Sequence, residues 1–502
     1  MDELREMSRV VSKNKIKQIP TLDRKYAEDR VYDFYERILN DQFRDDKEAA
    51  AFYFNVEGST QYRKLKTKLR TRLQNTLFFI DTNNAKFSNA QQAFYQCQKD
   101  LTVIKLLQGR NAGKAAYIQC KRTLAQAKKF EFVEIVVELL KFLRGHYALN
   151  SGDFKAYKNI CRELTRYEEI KLHEDRANAY YQDISLHLDK KIGADRESLR
   201  RAYVYLNELE EVGKKIKTFN LHMLKYWLEL LVLSTENRLD LLLKSCSKAI
   251  RFFNAKPNFS KHFMGVFYYY KLLTLTKLGD YSAGSRIVTT CNKIFEEGTN
   301  LWYNTQELYF ALCMHTRRYG KSGEILEVVY NTNQFKFQFE HRREAWALNE
   351  AYLYYVSLIG KLSVESGSRT GRFRVKKFLN DMPVYAGDKR GFNVPVLVVQ
   401  ILILIHNRSY DQLADRLEAI ERYTTRYLKR DTNFRSNCFI KMLLQVPKRH
   451  FHRAAVIRHA ESYYSKLIEE SSTKSNEAFE MEIIPYEHLW EYILESLDNR
   501  FH

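Results

Sequence analysis

The chain has 502 residues and a formal net charge of +21. Apolar residues make up 45% of it, with 34 Tyr and 31 Phe, which excludes a chain too polar to fold and predicts a sizeable core. Six Pro and 18 Gly are too few for an all-β fold with many tight turns, so an all-α class is expected.

The first twenty residues alternate charges and hold no apolar stretch of signal-peptide length. Residues 1–88 read as a small helical N-terminal unit. Val31–Leu39 and Lys47–Tyr53 are two expected helices, and a break at Val56–Thr60 precedes a stronger one over Gln61–Ile80. At 100° per residue, Tyr62, Leu65, Leu69, Leu73, Leu77 and Ile80 share one face of that helix. Arg63, Lys64, Lys66, Lys68, Arg70 and Arg72 cover the remainder. Helix, glycine-containing turn and basic helix outline a helix-turn-helix reader of nucleic acid. A solvated face on a helix capping a repeat array fits the same residues.

From residue 89 to 472 the chain is punctuated by short polar breaks. They fall at Arg110-Asn111, Gly152-Asp153, Ala194-Asp195, Glu236-Asn237, Gly279-Asp280, Gly320-Lys321, Gly367-Ser368, Arg408-Ser409 and Arg449-His450. Their near-equal spacing of about 42 residues predicts nine helical hairpins. Aromatic clusters recur upstream of five breaks: Tyr180-Tyr181, Tyr226-Trp227, Tyr268-Tyr269-Tyr270, Tyr309-Phe310 and Tyr354-Tyr355. Core packing is their simplest role. Pro395 is expected to open a first helix, where its missing N–H costs nothing.

Two breaks, Leu278-Gly279-Asp280-Tyr281-x-x-Gly284 and Ser151-Gly152-Asp153-Phe154, resemble the turn of tetratricopeptide repeats. Ser409-Tyr410 and His450-Phe451-x-x-Ala454 keep part of it. The resemblance implies a right-handed α-solenoid that binds protein or peptide, here with a period longer than that family's 34 residues.

The widest spacing runs into the least helical stretch, 366–391, with Arg369, Arg372, Arg374, Lys376, Lys377, Lys389 and Arg390. Guanidinium forks beside glycines suit a carboxylate or phosphate, so these seven residues are the predicted partner or anion site. A solvated loop would carry the same composition. Residues 408–459 add twelve cations against five acids, a positive field that would attract acidic partners or nucleic acid. Residues 473–502 are expected to close the array with a helix starting after Pro485.

The longest apolar run, Val394–Ile405, is interrupted by Pro395 and Gln400 and is shorter than the roughly 20 residues that cross a bilayer. Seven cysteines form no CxxC pair and sit singly in helical patterns, as small apolar side chains do. A cytoplasmic location without membrane insertion is expected. HExxH, GxSxG, GxxxxGK[ST] and zinc-type Cys/His spacings are missing, and His450 and His452 lack a third ligand. The chain thus reads as a non-enzymatic scaffold or adaptor, without metal or cofactor, holding a protein partner with an acidic surface or segment. The alternative is a nucleic-acid-binding regulator whose N-terminal unit contacts the nucleic acid. Oligomeric state stays open.

Overall fold

The computed structural model describes residues 29–40, 42–55, 60–77, 88–188, 196–256, 259, 261–363, 368–375, 377–378, 393–409, 413, 416–418, 420–421, 434–469 and 482–497. Among these every regular element is helical and no strand occurs, in agreement with the all-α expectation. The chain divides into two compact units, residues 1–171 and 172–502.

The first unit begins with three helices, α1 (Arg30–Leu39), α2 (Asp46–Phe54) and α3 (Thr60–Leu77). Asp29 caps α1 by accepting from the Val31 N–H, and Asp45 caps α2 by accepting from Lys47 and Glu48, which satisfies otherwise orphaned donors. Val31, Phe34, Ala49, Ala50, Tyr62, Leu65 and Leu69 make their shared core. The expected apolar face of α3 is only half covered. Leu73 and Leu77 are 38% and 63% exposed, because α1 and α2 span ten and nine residues against eighteen in α3. Ile80 lies outside the described residues.

After a Ser88/Gln91 capping box come α4 (Asn89–Gly109), α5 (Gly113–Lys129) and α6 (Val133–His146), each packed on the next. Their core joins Cys97, Ile104, Cys120, Val136, Leu140 and Leu143 with Leu164 of α7 (Phe154–Leu188). Helix α7 runs unbroken for 35 residues, where a regular train of hairpins would place two helices and a turn. This is a departure from the expected pattern, and Ala194-Asp195 falls outside the described residues.

The second unit continues with α8 (Arg196–Lys215), α9 (Phe219–Thr235), α10 (Leu239–Asn254), α11 (Gly265–Leu278), α12 (Tyr281–Ile294), α13 (Asn300–His315), α14 (Tyr319–Asn331) and α15 (Glu340–Leu358). It ends with α16 (Asn393–His406), α17 (Phe434–Lys448), α18 (Arg453–Glu469) and α19 (Tyr486–Ser496). From α8 to α15 each helix packs on its successor, and α11 also packs on α13. Of the aromatic clusters, Tyr226, Tyr268, Phe310 and Tyr355 are buried in the core, while Trp227, Tyr270, Tyr309 and Tyr354 are half-buried against it. Pro395 sits in the first turn of α16.

One turn recurs along the chain. At Asn111, Glu131, Asn237, Gly279, Arg317, Gly360, Arg408 and His450 the backbone turns left-handed, with φ between 52° and 74°. In each case the next residue's N–H donates to the carbonyl five residues back, at 2.8–3.1 Å, so the helix end keeps its hydrogen bonds while the chain reverses. Five of these pivots belong to the polar breaks read from sequence. Two breaks are displaced. Gly320 lies inside α14, with the pivot at Arg317, and α15 ends with its pivot at Gly360 instead of near Gly367, which is outside the described residues. The six pivots from Asn237 to His450 are spaced 42, 38, 43, 48 and 42 residues apart, so the long interval falls one step later than the sequence reading put it.

Candidate functional site

Four of the seven predicted anion-site cations come together. A groove of about 620 Å³ is lined by Arg369, Arg372, Arg374 and Lys377, with Glu327 and Tyr330 of α14, Glu350 of α15, and Phe373 and Phe378. Lys376, Lys389 and Arg390 lie outside the described residues.

The four cations are not equivalent. The Arg369 guanidinium lies over the Tyr330 ring, 3.4 Å from its centroid, and its Nε donates to Glu350 at 3.2 Å. Its backbone N–H donates to Glu327 at 2.7 Å. A short 3₁₀ turn, Thr370–Arg372, follows, with Thr370 buried and the Gly371 N–H donating to the Ser368 hydroxyl. Phe373 packs on Tyr354 and Phe378, with ring centroids at 4.9 and 5.5 Å. Burial holds the Glu350 carboxyl above its usual range, with Arg369 opposing that shift. Arg369 is therefore an anchor that seats the segment. Arg372 and Arg374 are exposed and make no ion pair among the described residues. Four cations face two carboxylates across the groove, leaving an excess of positive charge to meet an anion.

The six predicted contact residues of α3 are likewise sorted by their neighbours. Lys66 pairs with Asp46 at 2.5 Å and Arg72 with Asp29 at 2.5 Å, on the flanks that face α1 and α2. The Tyr62 hydroxyl also donates to Asp46, at 2.8 Å. Lys66 and Tyr62 hold the Asp46 carboxyl below its usual range; at Asp29 the Val31 N–H has the largest lowering effect, helped by Arg72. Arg63, Lys64, Lys68 and Arg70 are exposed and make no ion pair among the described residues.

Glu327, Tyr330 and Glu350 were not among the sequence candidates. They lie about 20 to 40 residues before Arg369 on two different helices, and nothing local to them marks the site. The cysteines serve packing: six of seven are buried, and burial pushes the thiols of Cys120, Cys246, Cys291 and Cys313 up to about 12. Among the described residues no group of three His, Cys, Asp or Glu side chains could hold a metal ion, and no helix is long and apolar enough to cross a membrane. No protein-family model, curated protein or solved structure matches the chain.

Proposed function

We propose that the protein is a non-enzymatic cytoplasmic scaffold or adaptor, built as a tetratricopeptide-like helical-repeat array, that holds a partner protein by an acidic segment. The observation that carries this reading is the groove between α14, α15 and the 368–378 segment, with its anchored Arg369 and two uncommitted arginines. An anchored guanidinium loses little freedom on binding, and the neighbouring Arg372 and Arg374 can each fork onto a carboxylate. Phe373 and Phe378 supply apolar wall against which a peptide backbone can lie. The repeated left-handed turn supports the array reading, since one supersecondary unit used again and again is how such arrays are made.

The test is titration of a glutamate-rich peptide, and of an isosteric one with glutamine in place of glutamate, against the full chain. The acidic peptide should bind and the neutral one should not. The double variant Arg372→Ala/Arg374→Ala should keep its melting temperature and weaken binding by several-fold to about tenfold, as two exposed charge contacts would. Equal binding of both peptides, or an unchanged affinity in the double variant, would defeat the reading.

A further inference from the structure

The helix α3 carries six Lys/Arg and no Asp/Glu over eighteen residues. Two of the six are consumed, because Asp46 and Asp29 take Lys66 and Arg72 and fix the helix on α1 and α2. The opposite side has a definite pattern. Arg63, Thr67, Arg70, Thr71 and Gln74 recur at i, i+4, i+7, i+8 and i+11, so they form one stripe, and Lys64 and Lys68 lie along one side of it. All seven are exposed. Thr67 and Thr71 donate their hydroxyl hydrogens to the carbonyls of Arg63 and Thr67, at 2.8 and 3.1 Å. Their hydroxyl oxygens keep lone pairs free to accept.

We propose that α3 is a reading helix for the major groove of duplex DNA, with Arg63, Arg70 and Gln74 facing base edges and Lys64 and Lys68 on phosphates. This goes beyond the adaptor reading and rests on different residues. The composition of the stripe selects the ligand class. From Arg63 to Gln74 it holds only hydrogen-bonding side chains, with no aromatic ring to stack single-stranded bases, and the exposed Leu77 at its C-terminal end is too little apolar surface for a membrane-lying helix. A B-form major groove admits a helix, whereas that of an RNA duplex is too deep and narrow for side chains to read. Eighteen residues rise about 27 Å, enough to cross the groove with both ends near phosphates. Arg donates a fork to guanine and Gln a bidentate pair to adenine, while threonine methyls suit thymine. The α1–α2 brace, with its small common core, holds this helix at one edge and leaves the stripe uncovered.

The experiment measures binding of the full chain to a mixed-sequence 30-base-pair DNA duplex between 50 and 200 mM salt. The comparison is with the variant Arg63→Ala/Lys64→Ala/Lys68→Ala/Arg70→Ala and, as a control on the net charge, with Arg372→Ala/Arg374→Ala. The two phosphate contacts correspond to a salt slope of about −1.8 and about a tenfold loss of affinity over that range. The α3 variant should melt like the parent and lose most of that slope, while the groove variant should keep it. Selection from a randomised duplex pool should enrich a short motif that Gln74→Ala alters. An unchanged slope in the α3 variant, an equal loss in the groove variant, or no enriched motif would overturn the proposal. So would tighter binding of an RNA duplex or an acidic peptide through the same four residues. Failure of the peptide titration leaves this test intact, since the two sites share no residue.

Discussion

At the scale of single residues, the two glycines of the best-preserved turn do different work. Gly279 is the left-handed pivot, φ +68°, and a Cβ there would meet nothing within 4 Å. Gly279→Ala should therefore cost about 1 kcal/mol from backbone strain alone, read as a shift in the urea midpoint. Gly284 has ordinary helical backbone, but its Cβ would overlap the Leu312 side chain, which is fully buried, and touch Leu272 at 3.6 Å. Gly284→Ala should cost about 1–3 kcal/mol because packed neighbours must move. Both glycines stand out in the sequence, yet only contacts across helices separate their roles.

His222 makes the third prediction at this scale. Its ring stacks on Phe252 at 4.1 Å, with Nε2–H donating to the Ile216 carbonyl at 3.2 Å. Burial, and then Lys225 beside it, bring the imidazole from 6.5 to about 4. The unfolded chain binds a proton here that the folded chain refuses. Stability from this residue is complete above about pH 6.5 and is lost as pH falls towards 4, by roughly 3 kcal/mol in all. His222→Phe should flatten the difference in unfolding free energy between pH 7 and pH 4.5 relative to the parent. An undiminished acid loss in that variant would assign the effect elsewhere.

At the scale of elements, helix starts and stops were legible wherever a residue type carries its own geometry. Asn111, Asn237 and Gly279 tolerate left-handed backbone and mark their turns in the sequence. Arg317 makes the same turn without any such signature, so the eye settles on Gly320 a few residues on, which is helical. The long α7 was illegible for the opposite reason, since nothing in a polar helix with scattered apolar residues announces that no turn occurs. The basic stripe on α3 was visible as composition. Which cations were committed depended on Asp29 and Asp46, each some twenty or more residues distant from its partner. Element packing also explains Arg435 of α17, which is 1% exposed and looked like any other cation in a basic segment. Its guanidinium reaches Glu482 at 2.7 Å, Glu487 at 2.8 Å and the Leu467 carbonyl at 2.8 Å, tying α17, α18 and α19 together. Arg435→Ala would leave two carboxylates without their counter-charge in a buried setting and should cost about 3–5 kcal/mol. Arg435→Lys should recover only part, because an ammonium cannot fork onto both carboxylates and the carbonyl at once.

At the scale of the whole molecule, α19 decides how cooperative the second unit is. In a strictly linear array each repeat meets only its neighbours, so losing the last helix frays the end and little else. Here α19 reaches helices far upstream in sequence. Tyr492 shares a hydrogen bond with Tyr319 at 2.6 Å, Glu491 pairs with Arg317, and Glu495 pairs with Lys361 at 2.8 Å. The carbonyl of Glu482, just before α19, accepts from His315. These contacts span up to 174 residues and land on the two turns, at Arg317 and Gly360, whose pivots the α13–α15 segment depends on. Removing residues 482–502 should therefore lower amide-exchange protection around His315–Tyr319 and Ser357–Lys361 as well as in α17 and α18. Protection should be nearly unchanged in α4–α6, which belong to the other compact unit. Loss confined to α17 and α18 would mean that each helix there is held by its sequence neighbours alone.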